Sequence, residues 1–128
     1  MKNCVLCKDE LKPEEGQLIW RGDDCRIILV NDPDLPGFCR VIWNRHISEM
    51  TDLTPGERDH LMTLVFAVEE AIRKVMNPDK VNIAALGNMV PHIHWPKTQQ
   101  TLGVNVEARK QLAKDLPSAI KSAIAALS

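Results

Sequence analysis

A chain of 128 residues can bury a core as one domain, and 45% apolar with 26% charged residues is ordinary globular composition. A formal net charge of −1 argues against a nucleic-acid polymer held by bulk electrostatics. No apolar run reaches the length of a membrane span, and "MKNCVLCKDE" lacks a signal-peptide core. The expectation is therefore a cytoplasmic protein with no membrane partner.

In chain order, Cys4-x-x-Cys7 comes first, spaced as a metal knuckle or a redox pair. "GQLIW" and "CRIILV" read as two strands joined by "RGDD", and "NDPDLPG" as an ordered loop dense in turn formers. "FCRVIW" reads as a mostly buried third strand ending near Asn44. Cys25 and Cys39 sit in these apolar runs and are expected to be small buried residues. Thr54, Pro55 and Glu57 supply an N-cap, an N1 proline and a capping-box acid. Leu61, Val65, Val68, Ile72 and Val75 then recur at helical spacing until "NPDK" stops the helix.

"VNIAAL" reads as a fourth strand, and Gly87-Asn88 turns into a fifth, "MVPHIHW". From about 105 to 127 the pattern is helical again. Ala108, Leu112, Leu116, Ile120 and Ile124 share one stripe, with a kink or restart at Pro117. The order β-β-β-α-β-β-α predicts an α+β domain over 1–128. It would have an antiparallel sheet of about five strands, a long central helix and a C-terminal helix, with the helices on one side.

Residues two apart on a strand face the same way, about 6.5–7 Å apart along the chain. His92 and His94 therefore share a face, while Ile93 and Trp95 turn to the other and can anchor the strand. Two rigidly held imidazoles suit a metal site, a nucleophile or both. The plain alternative is a pair of partly exposed histidines with no role. The Gly87-Asn88 turn ahead of them adds backbone N–H groups that can face an anion.

A tetrahedral zinc on Cys4 and Cys7 needs two more nitrogen or sulfur ligands. The chain has four histidines, His46, His60, His92 and His94. His60 lies off the apolar stripe of the capped helix and reads as a surface residue. His46 follows a buried strand in "WNRHISEM" and is available, as is either strand histidine. The spacing does not choose between His92 and His94.

"GNMVPHIHW", preceded by "GFCRVIWNRHISEM" and by an N-terminal C-x-x-C, resembles the histidine-triad (HIT) family of nucleotide hydrolases and transferases. The resemblance covers most of residues 4 to 95. It implies an α+β homodimer acting at the α-phosphate of a nucleotide, either a phosphoramidate or a dinucleoside polyphosphate. By position, His92 matches the first triad histidine and His94 the middle, nucleophilic one. The zinc ligands implied are Cys4, Cys7, His46 and His92, with the metal in a structural role. Asn88 falls near the α-phosphate, either Asn31 or Asp32 near the ribose, and Asn82 on the site side.

The pattern breaks at Pro96, where the third triad histidine is expected. Two explanations compete: a degenerate member with weakened turnover, or residues absent after Trp95. The second has a physical motive: a strand of the sheet should not end abruptly at Trp95-Pro96 with the next helix beginning within about ten residues. The family has a longer excursion there, which carries the third histidine. The leading expectation is a HIT-like hydrolase working through a nucleotidyl-histidine, the alternative a zinc-stabilised nucleotide-binding protein. A redox role for Cys4-x-x-Cys7 is disfavoured, because the pair does not open a helix after a strand.

Overall fold

In the computed structural model, which describes residues 11–85, 94–100 and 111–127, the two cysteine-arginine stretches lie on neighbouring strands. Strand β1 (Gly16–Arg21) pairs antiparallel with β2 (Cys25–Val30), with a shift in register between Leu18 and Trp20. The turn closes through the Gly22 N–H, which donates to the Cys25 carbonyl at 2.8 Å. Strand β3 (Cys39–Trp43) pairs with β2 after the loop that starts at Asn31. That loop is ordered by Asp32, whose Oδ1 accepts from the N–H groups of Asp34 at 2.9 Å and Leu35 at 3.2 Å.

Helix α1 (Pro55–Met76) starts where its capping chemistry predicts. The Glu57 N–H donates to Thr54 Oγ1 at 3.2 Å, and the Thr54 N–H donates to Glu57 Oε1 at 2.8 Å. It ends on Asn77, whose φ of 46° is left-handed and turns the chain out ahead of Pro78. Strand β4 (Lys80–Ile83) follows, and β5 (His94–Gln100) returns between β3 and β4. The sheet order is β1-β2-β3-β5-β4, every pair antiparallel. Helix α1 carries the chain past the space that β5 fills, so β4 lands at the edge.

Alternation divides the sheet into two faces. Cys25, Ile27, Cys39, Val41 and Trp43 face the helices and are at most 1% exposed. Onto them pack Leu61, Val65, Val68 and Ile72 of α1, with Leu116 and Ile120 of helix α2 (Leu116–Ala125). Each fully buried aliphatic side chain contributes about 2 kcal/mol. The other face carries Arg26, Ile28, Arg40 and Ile42.

Two expectations change. The fifth strand does not stop at Trp95: it runs through Pro96 to Gln100, while the part expected at 89–93 lies outside the described residues. Pro96 is tolerated because it faces Arg40 of β3, whereas the last partner on the β4 side, Ile83, faces Lys97. The C-terminal helix restarts near Pro117 as expected, with Leu116 and Ile120 buried, but its apolar stripe does not extend back to Leu112. Residues 111–113 are helical, a turn intervenes, and α2 restarts at Leu116 with Pro117 in its first turn. Leu112, expected on the buried stripe, is 39% exposed, because the Asp115 N–H bonds to its carbonyl in a tight turn that breaks the helical phase. Ala108 lies outside the described residues.

Candidate active site

Directly opposed residues on neighbouring strands share a face. His94 opposes Ile42, Trp95 opposes Val41 and Pro96 opposes Arg40. Trp95 thus holds a core-side register position, and His94 a position on the face away from α1. Asn82 opposes Thr98, which places it on the same face as His94, while Val81 and Ile83 pack against the core. The structure therefore brings His94 and Asn82 to one face of the sheet. Ile42, 1% exposed, and Ile28, 7% exposed, lie on it beside them.

A buried charge pins the end of β3 beneath this face. Arg26 is 5% exposed, and its Nη1 donates to Asn44 Oδ1 at 2.9 Å. Asn44 in turn donates from Nδ2 to the carbonyls of Gly22 at 3.2 Å and Asp23 at 3.3 Å. Its backbone N–H donates to the Asp24 carbonyl at 2.7 Å. A charged group so far from water needs such partners, and here they lock the chain two residues before His46. His46 itself is half-buried, and His60 is exposed as expected.

Asn31 and Asp32 sit at the far end of β2. Asn31 Nδ2 donates to the Glu14 carbonyl at 2.9 Å, and its backbone N–H to the Glu15 carbonyl at 2.9 Å. Both residues line a cleft of about 450 Å³ with Pro33, Pro36, Lys114 and Pro117 among its walls. Along β2, Val30 lies four residues beyond Arg26, the level of Ile42 and His94, or roughly 13 Å. Asn31 and Asp32 are thus at one end of the sheet and His94 toward the other.

Cys4, Cys7, Asn88 and His92 lie outside the described residues. Of the expected zinc ligands only His46 falls within them, and among the described residues no three His, Cys, Asp or Glu side chains gather as a metal site. No helix there is long and apolar enough to cross a membrane.

The sequence profile of the HIT domain matches residues 12–95. The chain belongs to the HIT domain family. The match ends one residue before Pro96, where the triad pattern fails. Among curated relatives, a bis(5′-nucleosyl)-tetraphosphatase (asymmetrical) of Schizosaccharomyces pombe is 39% identical over 87 residues, 64% of this chain and 48% of that protein. An AP-4-A phosphorylase of Mycobacterium tuberculosis is 31% identical over 91 residues, 66% of this chain and 47% of that protein. This HIT chain spans about half the length of the curated relatives it matches.

Solved structures agree on the fold. A histidine triad protein from Bradyrhizobium japonicum superposes with a TM-score of 0.72 at 24% identity, over 90% of this chain and 97% of that one. A Zn-bound histidine triad family protein from Mycobacterium smegmatis superposes with a TM-score of 0.70 at 23% identity, over 98% of each chain.

Three polar residues of this HIT domain were missed in the sequence: Arg26, Arg40 and Asn44. A signal was present for two. "CRIIL" and "FCRVIW" each carry a Cys-Arg pair inside an apolar strand, and alternation sends the arginine to the face away from the helices.

Proposed function

We propose that this HIT domain cleaves a dinucleoside polyphosphate at an α-phosphate, with His94 as nucleophile. The observation that carries the reading is the register of His94. Its register position falls on the face of the sheet away from α1, the face that also carries Asn82, while Trp95 holds a core-side register position. The substrate class is supported by the names of the two curated relatives, both concerned with dinucleoside tetraphosphates.

In this reading a ring nitrogen of neutral His94 bonds to the α-phosphorus as the bond to the polyphosphate leaving oxygen breaks. That oxygen keeps the electron pair and takes a proton. Water then bonds to phosphorus, the phosphorus–nitrogen bond breaks, and its electron pair returns to the imidazole. One proton of that water is released, and a nucleoside monophosphate leaves. Asn82 and Asn88 supply hydrogen-bond donors toward the phosphate, and Asn31 or Asp32 holds the ribose.

Cys4, Cys7, His46 and His92 form a donor set suited to tetrahedral zinc, which would tie the N-terminal segment to the histidine strand as a structural ion. The reading includes a homodimer, as the family resemblance implies.

Pro96 favours a second reading: a nucleotide-binding protein of the same fold with weak or no turnover, short of one donor. Release of nucleoside monophosphate from a dinucleoside tetraphosphate and from a nucleoside phosphoramidate separates the two. Turnover by the wild type, lost at least 1,000-fold in His94→Ala with nucleotide affinity kept within a few-fold, is the expected result. Binding by calorimetry with no turnover would leave the second reading standing.

A further inference from the structure

The position at which the triad fails has a neighbour that offers a replacement. Arg40 is the cross-strand partner of Pro96 on the face that also carries His94. Its guanidinium carbon stacks over the Phe38 ring, 5.4 Å from the centroid. Its Nε is buried and has no hydrogen-bond acceptor among the described residues. A donor taken out of water with no acceptor among the described residues is costly, and its retention is accounted for by an acceptor that arrives from outside. The ring restrains the guanidinium plane in advance, which lowers the cost of binding an anion.

We propose that Arg40 supplies to the substrate's phosphate oxygens the hydrogen-bond donor that an imidazole at position 96 would otherwise give. The inference rests on the reading of His94 as nucleophile. Positions two apart on β5 are about 6.5–7 Å apart, and diagonal neighbours across a pair of strands about 7–8 Å apart, both within reach of an arginine side chain. Asn82, opposite Thr98, flanks the same stretch of β5 from the other side. A phosphate chain lying along β5 from His94 toward Thr98 would thus meet a guanidinium from β3 and an amide from β4. Arginine suits the task because it stays charged at every working pH and can offer two parallel donors to phosphate.

The test measures kcat and KM for a dinucleoside tetraphosphate with wild type, His94→Ala, Arg40→Lys, Arg40→Met and the double variant Arg40→Met/Pro96→His. Melting temperatures establish that each variant is folded. Expected are an activity that depends on His94, a fall in kcat of roughly 100-fold in Arg40→Met with a smaller change in KM, and a lesser fall in Arg40→Lys. Added guanidinium ion restores part of the Arg40→Met activity, and Pro96→His in that background recovers at least tenfold. A His94-dependent wild type whose kcat is unmoved by Arg40→Met overturns this proposal alone. So does a change confined to preference between adenosine and guanosine substrates, which would mean that Arg40 reads the base. A wild type that binds without turnover overturns this proposal together with the hydrolase reading.

Discussion

At the Cys25 thiol, burial removes the water that would solvate a thiolate and pushes the pKa from 9.0 to about 12, with the Asp24 carboxylate adding repulsion. The folded value lies above the unfolded one, so the fold holds this proton more tightly. The resulting stabilisation is complete below about pH 9 and is lost as the pH rises from there toward 12. Denaturation midpoints measured from pH 8 to 11 should therefore fall more steeply in the wild type than in Cys25→Val. Native protein at pH 8 should also leave this thiol unalkylated, whereas unfolded protein reacts. Arg26 shows the opposite solution to burial. Asn44 accepts from its Nη1 and passes further hydrogen bonds to the β1–β2 turn, which replaces the water lost on burial. Both residues lie in strands whose apolar content was plain in the sequence. The partners of Arg26 were not, because they come from positions far away along the chain.

Helix α1 was legible almost to the residue, since its start and stop depend on local chemistry. Thr54, Pro55 and Glu57 cap one end and Asn77-Pro78 closes the other. Thr54→Ala removes the acceptor for the Glu57 N–H and should cost about 1 kcal/mol, read as a shift in denaturant midpoint with an unchanged m-value. The Glu57 carboxylate accepts from the Thr54 N–H foremost and is held below the usual carboxylate range. That contribution is present at neutral pH and is lost as the pH falls through the lowered value, so Glu57→Gln should cost less in acid than at neutral pH, read as the difference in denaturant midpoint from wild type. Strand β5 was less legible. Pro96 in sequence reads as a stop, yet the strand continues because an interior strand draws its hydrogen bonds from two neighbours that end at different places. On the C-terminal stripe, Leu116 and Ile120 are buried as expected and Leu112 is not. Periodicity was read across a tight turn that resets the helical phase before α2.

For the molecule as a whole, the apolar face of α1 is consumed by the sheet and α2, with Leu61, Val65, Val68 and Ile72 at 0% exposure. A homodimer would have to use other surface. The proposed zinc bears on the whole fold, because its ligands are spread along the chain from Cys4 and Cys7 through His46 to His92. Purified protein is expected to hold about one equivalent of zinc, to lose it in Cys4→Ser, and to melt at lower temperature when stripped by a chelator. A chain without zinc but with a reversible Cys4–Cys7 disulfide would replace that reading with a redox one.

Local features were decided by the sequence alone. The capped helix, the β1–β2 turn and the apolar setting of Cys25 and Cys39 follow from residues near one another in the chain, and the HIT resemblance from short motifs in a fixed order. Their energies are set by neighbours a few positions away. Only the tertiary structure decided the sheet order, the continuation of β5 past Pro96, and the meeting of Arg40, Pro96, Asn82 and His94 on one face. Those depend on which strands pair and in which register. A shift of one residue would move each of these positions to the opposite face, and no short stretch of sequence carries that information.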